Sequence, residues 1–128
     1  MTKSFSSENL RIGHDNPTIF MFSGQGSQYF QMGRDLYDTH ESFKHHLLEM
    51  DEVAHAELGE SVIDHLYADS NRRSAPFDNL RYSHPAILML EVALAKVLIE
   101  EGVYPDMVMG SSLGEFSAAC ISGVISVE

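Results

Sequence analysis

Five consecutive residues, Gly110-Ser111-Ser112-Leu113-Gly114, carry a spacing with chemical consequences. They fit G-x-S-x-G, the pattern of a serine nucleophile held at a sharp strand-to-helix bend. The bend lifts the Ser112 hydroxyl above the sheet, where it can reach an ester or thioester carbonyl. Glycines two residues before and two after let strand and helix pack closely around the turn. The helix that follows aims its first amides, at the positive end of its dipole, toward the same point. The N–H of Leu113, directly after the serine, is then the natural donor to an oxyanion. The competing reading is a glycine-bounded turn with an ordinary capping serine.

A nucleophilic bend needs a strand before it and a helix after it, and the flanking residues supply both. Met107-Val108-Met109 is a short apolar strand, and Phe116 to Ile121 is a helix stopped near Gly123. Upstream, Pro17 introduces Thr18-Ile19-Phe20-Met21-Phe22, a continuous apolar run that reads as a buried strand of a parallel sheet. It leads into Ser23-Gly24-Gln25-Gly26-Ser27-Gln28, whose glycines permit a tight turn and close approach of backbone to a ligand. Between the strands, Phe43, Leu47, Met50 and Ala54 recur at helical spacing, with Ser42 as the expected N-cap. A shorter helix is expected around Val62 to Tyr67, then a polar loop from Ala68 to Asn79. Ser83-His84-Pro85 opens a helix apolar nearly all round, broken by Glu91, Lys96 and Glu100-Glu101 and closed by Gly102. Met89, Met107 and Met109 read as core.

The class is therefore α/β, a short parallel sheet flanked by helices. Residues 1–16 are polar and aperiodic and read as a mobile leader, with 17–128 as the folded part. Ser126-Val127-Glu128 looks like the cap and first turn of another helix. Two strands cannot complete a parallel sheet covered on both faces, so a truncated front portion of a larger domain is expected.

With 8 Lys+Arg against 19 Asp+Glu, the formal net charge of this 128-residue chain is −11. That balance argues against a protein that tracks nucleic-acid phosphates. One cysteine, Cys120, excludes an internal disulfide framework and a cysteine-based zinc site. The first residues hold no apolar signal-peptide core, and the stretch from Pro85 to Ile99 is too short to span a bilayer. A soluble, cytoplasmic protein without a membrane or nucleic-acid partner is expected.

Taken in order, GQGSQ at 24–28, SHPA at 83–86 and GSSLGEFSAA at 110–119 resemble one family. It is the acyltransferase family of malonyl-CoA:acyl-carrier-protein transacylases and of the acyltransferase domains in polyketide and fatty-acid synthases. The resemblance runs from about Thr18 to Glu128 and covers the front part of a family member. It implies an α/β-hydrolase-like subdomain and transfer of a malonyl-type acyl group from coenzyme A to an acyl carrier protein. Ser112 falls on the serine that takes the acyl group. Gln25 falls on the residue whose backbone amide partners Leu113 N–H in the oxyanion hole. No permanently bound cofactor is implied; the coenzyme A thioester is a substrate.

Two positions depart from the family. Histidine usually precedes the nucleophile, where Ser111 stands here, and glutamine is common where this chain has His84. Both line the family's acyl-binding site, so the pocket is altered at two points, whether by drift or by a change in the acyl group accepted. A serine nucleophile also needs a base, which in this fold type follows it in sequence. None of the 16 residues after Ser112 is histidine. His84 is a conceivable substitute, although a histidine at a helix entry is more often a cap or wall residue. The chain as given is expected to be inactive, its activity belonging to a longer protein. Two alternatives stand beside acyl transfer: hydrolysis of acyl-carrier-protein thioesters as proofreading, or a catalytically silent fragment in a synthase assembly. His45 and Glu49 have the i, i+4 spacing of a metal pair but no second pair, and read as a solvated face, so no metal is expected. Gly24-x-Gly26 lacks the third glycine of a dinucleotide turn, since Tyr29 stands there. Arg72-Arg73 reads as a solvated loop rather than a docking site.

Overall fold

The computed structural model describes residues 16–127. The leader expected over residues 1–16 lies outside that range except for Asn16. The elements run β1 (Ile19–Phe22), α1 (Arg34–Thr39), α2 (Glu41–Leu58), α3 (Val62–Leu66), α4 (Leu80–Glu100), β2 (Met107–Gly110) and α5 (Gly114–Ile121). The two strands pair in parallel, with Ile19 opposite Met107 and Phe22 opposite Gly110. Thr18 N–H donates to the Asp106 carboxylate at 2.7 Å, and Asp106 N–H donates to the Thr18 carbonyl at 2.8 Å, which fixes that register from its start.

β1 is not buried on both faces, as its unbroken apolar run suggested. Phe20 and Phe22 face inward, while Ile19 and Met21 are exposed, Met21 by 74%. Among the described residues only one face of the sheet is covered, by α4 and α5, through a small cluster of Phe20, Phe22 and Ala95 with Val108, Ala118 and Ile121. For the same reason Met109 is half exposed and not core, and Met107 is only partly buried; Met89 is buried as expected.

The larger core lies where α2, α3 and α4 meet and is built around Phe43, Leu47, Leu66, Val62 and Val92. α2 presents Phe43, Leu47 and Met50 to it, the stripe that the spacing predicts. Its cap is His40 rather than Ser42: the His40 ring nitrogen accepts from Phe43 N–H at 3.2 Å. Ser42 instead donates to the Glu100 carboxylate, as part of a tie between α2 and the end of α4 that includes His46. α1 is a six-residue helix with no side-chain cap and no buried residue, which is why periodicity gave no sign of it.

α4 begins at Leu80, three residues before Ser83, because the Asn79 side chain caps it by accepting from Arg81 N–H at 3.1 Å. Pro85 therefore sits in the second turn, where it withdraws the N–H that would meet the Arg81 carbonyl. The full helix, at 21 residues, is long and apolar enough to cross a membrane by length and composition, unlike the shorter stretch first considered. In this fold it packs against α2, α3 and α5. Ser126 and Val127 are not helical, and Glu128 lies outside the described residues.

Candidate functional site

The sharp bend exists and is made by backbone. Ser112 has φ 54°, in the left-handed region that residues with a Cβ rarely enter. The chain leaves β2 at Gly110 and re-enters helix at Gly114, so the two glycines of the pentapeptide face each other across the turn. A Cβ on Gly110 would lie 2.1 Å from the Gly114 carbonyl oxygen, and one on Gly114 2.4 Å from the Phe22 carbonyl oxygen. No side chain fits at either place. Turn bonds from Gly114 N–H to the Ser111 carbonyl and from Glu115 N–H to the Ser112 carbonyl close the bend. Ser111 and Ser112 are exposed and Leu113 is half-buried.

The upstream corner lies against this bend. Ser111 N–H donates to the Phe22 carbonyl at 3.1 Å, extending the strand pairing one residue past β2. At Gly24 a Cβ would meet the Ser111 carbonyl at 2.7 Å and the Ser112 Cβ at 3.2 Å, so glycine is required there by contact. Ser27 Oγ donates to the Gly24 carbonyl at 2.9 Å and Gly26 N–H to the Gln28 side chain at 2.7 Å, folding residues 24–28 on themselves. Among the described residues, the main-chain N–H groups of Gln25 and Leu113 have no hydrogen-bond acceptor, and neither does the Ser112 hydroxyl.

His84 joins the same neighbourhood from α4. Its Nε2 lies 3.2 Å from Gln25 Oε1, and it is half-buried. With that amide oxygen accepting, Nε2–H is the donor, so the ring is engaged with Gln25 rather than with Ser112. The five expected site residues, Gln25, His84, Ser111, Ser112 and Leu113, are thus brought together by three elements. No base lies within hydrogen-bond distance of the Ser112 hydroxyl among the described residues.

One group escaped the sequence reading. Glu91, marked there only as an interruption in an apolar helix, is half-buried behind the bend. Its carboxylate accepts from Ser23 N–H at 2.7 Å, from Ser23 Oγ at 2.8 Å and from Ser117 Oγ at 2.6 Å. The available signal was a glutamate within a helix apolar nearly all round, since a charge so placed needs partners to be tolerated. A cavity of about 400 Å³ opens beside it, lined by Ser23, Ser27, Tyr29, Leu90 and Leu94 among others. Among the described residues, none of the remaining candidates bonds to the five site residues. His45 and Glu49 pair at 3.4 Å on an exposed face of α2. Arg73 lies over the Tyr29 ring at 5.2 Å.

A model of the family described as acyl transferase domain matches residues 19–128. The chain belongs to this family. The chain is 50% identical over 114 residues to the polyketide biosynthesis acyltransferase homolog PksD of Bacillus subtilis, an alignment covering 89% of the chain and 35% of that protein. It is similar to the solved acyl transferase domain of ZmaA, with TM-score 0.78 and 30% identity over 89% of the chain and 27% of that structure. It is also similar to a malonyl-transacylase solved in complex with its type II PKS acyl-carrier protein. There the TM-score is 0.69 and the identity 28%, over 88% of the chain and 34% of that structure. The chain thus spans about a third of the length of the relative it matches.

Proposed function

We propose that this chain is the nucleophile-bearing part of an acyltransferase of polyketide biosynthesis, with Ser112 as the acyl carrier. Its oxygen attacks the carbonyl carbon of an acyl-CoA thioester, forming a C–O bond. The C–S bond breaks, and coenzyme A leaves as the thiol with the proton that the serine gave up. The thiol of an acyl carrier protein's phosphopantetheine then attacks the serine ester and restores the hydroxyl. The tetrahedral oxyanion of each step is met by the N–H groups of Leu113 and Gln25. A single donor of this kind contributes about 3 kcal/mol of transition-state stabilisation. The observation that supports this reading most is the contact of Gly24, the residue before Gln25, with Ser111 and Ser112, at a bend where Ser112 is exposed and left-handed.

Ser111 and His84 line the acyl site in this reading, and a malonyl group is the favoured cargo. The similarity to a malonyl-transacylase bound to an acyl-carrier protein supports both the cargo and the partner. The proton acceptor is the unmet requirement. An elbow with an oxyanion hole but no base keeps only residual catalysis, so the isolated chain does not turn over. The test is incubation with radiolabelled malonyl-CoA. The isolated chain should remain unlabelled, while the full-length gene product should take up one label that Ser112→Ala abolishes. Stoichiometric labelling of the isolated chain at Ser112 would overturn its inactivity. Equal labelling of Ser112→Ala would overturn the nucleophile, and an unlabelled full-length protein would overturn malonyl transfer. Hydrolysis of carrier-protein thioesters is the second reading, favoured by the small Ser111 and by His84. Released free acid instead of transferred acyl group distinguishes it.

A further inference from the structure

We propose that Glu91 is a positioning residue that holds the two halves of the site in register. The inference rests on the acyl-transfer reading of Ser112. The two amides assigned to the oxyanion come from different segments, one following β1 and one opening α5. Their spacing must hold to a fraction of an ångström, because a displacement of about 1 Å can cost two orders of magnitude in rate. The Ser111 N–H bond to the Phe22 carbonyl ties the strands just before the two turns, and the glycine contacts keep the turns from approaching further, but neither stops the turns themselves from separating beyond that point.

Glu91 supplies the missing restraint. One carboxylate oxygen holds the Ser23 N–H and hydroxyl, and the other holds the Ser117 hydroxyl, so a single side chain of α4 spans both segments. Ser23 precedes Gly24, the residue packed against Ser111 and Ser112. Ser117 is fully buried in the first turns of the helix that Ser112 introduces. Ser23 Oγ also lies 3.0 Å from Ser27 Oγ, whose hydroxyl donates to the Gly24 carbonyl, so the residue that Glu91 holds packs against the loop that carries Gln25. A half-buried carboxylate is a poor choice for packing, since its desolvation must be offset by strong hydrogen bonds. All three bonds given to it here go to the two site segments.

Hydrogen exchange on the chain itself and turnover by the full-length gene product test this together. In Glu91→Ala the Ser23 amide should exchange at least about tenfold faster relative to amides of α2, and kcat should fall about 10- to 100-fold with KM for the acyl donor within about twofold. Glu91→Gln should rescue both to within about threefold, because its amide oxygen can accept from Ser23 and its NH2 can donate to Ser117 Oγ. Unchanged exchange in Glu91→Ala would overturn the restraint. Faster exchange with unchanged kcat would overturn positioning while leaving Ser112 its role. Full turnover by Ser112→Ala would instead overturn the acyl-transfer reading, and the coupling of Glu91 to catalysis with it, whatever the exchange shows. Should Glu91→Ala fail to fold, Ser117→Ala carries the test: it removes one bond of three, and an unchanged kcat there would overturn the proposal.

Discussion

Replacing Ser112 by glycine should make the protein more stable while removing its proposed nucleophile. The left-handed backbone at this residue, φ 54°, costs a residue with a Cβ about 1–2 kcal/mol. Glycine relieves that cost but adds freedom to the unfolded chain, giving back about 0.4–1 kcal/mol. Because the Ser112 side chain is exposed and its hydroxyl has no partner among the described residues, nothing else is lost. With mid-range values the net gain is about 0.8 kcal/mol. For 128 residues the unfolding entropy is roughly 270 cal/mol/K, so the midpoint should rise by about 2–4 °C. Ser112→Ala keeps the Cβ and should melt within about 1 °C of wild type. Gln31 provides the opposite case. It also sits at positive φ, 64°, but its side chain donates to the Ala68 and Asn71 carbonyls, each at 3.0 Å. Gln31→Gly loses two hydrogen bonds worth about 1 kcal/mol each and should melt lower than wild type. Thermal denaturation of the three variants decides the matter. If Ser112→Gly melts no higher than Ser112→Ala, the bend stores no strain and the argument fails.

Gly114→Ala should destabilise by about 3 kcal/mol or more, since its Cβ would press on the Phe22 and Ser23 carbonyls, which are backbone and cannot rotate away; a melting point near wild type would contradict the contact. Asp51→Ala should cost about 3 kcal/mol in urea denaturation, because the buried carboxylate accepts from Ser61 Oγ and from the Val62 and Ile63 N–H groups that start α3. Tyr67 should make the fold alkali-sensitive. Burial raises its folded pKa above the ordinary 10.0, so its share of the stability is complete below pH 10.0 and is lost as pH rises through the raised value. The slope of melting temperature against pH above about 10 should be shallower in Tyr67→Phe than in wild type, and equal slopes would remove Tyr67 from the account.

Which parts of this arrangement could be read from the sequence follows from the range of the forces that set them. The bend, both strands and the apolar stripe of α2 were legible because local residue types decide them. Phe43, Leu47 and Met50 alternate with polar residues at helical spacing whatever lies across from them. The cap of α4 was misplaced because Ser83, buried to 0% exposure, packs against the core while Asn79 performs the capping. Both residue types suit a cap, and tertiary packing chose between them. The burial of β1 was overestimated for a related reason. Its apolar run gives the composition of both faces, but only neighbouring elements decide whether a face is covered. Glu91 stayed hidden because its partners, Ser23 and Ser117, are 68 and 26 residues away in the chain. No window of sequence joins them.

The contacts of Gly24, Gly110 and Gly114 bear on how an acyl acceptor of this kind can change its substrate. Each of these glycines meets main-chain atoms at a distance that leaves no room for a Cβ. The main chain around Ser112 is therefore set by two backbone segments in mutual contact, tied together from α4 by the Glu91 side chain. The side chains of Ser111 and His84 stand outside that contact: Ser111 is exposed, and among the described residues His84 meets the site through the Gln25 side chain. In the acyl-transfer reading, substitutions at 111 and 84 alter the shape and charge presented to the acyl group and leave the glycine contacts in place. This accounts physically for a chain that keeps GQGSQ and G-x-S-x-G intact while departing from its family at the two wall positions. On the same reading, the oxyanion donors are main chain held by glycine contacts and by Glu91, and the choice of cargo lies in the side chains at 111 and 84.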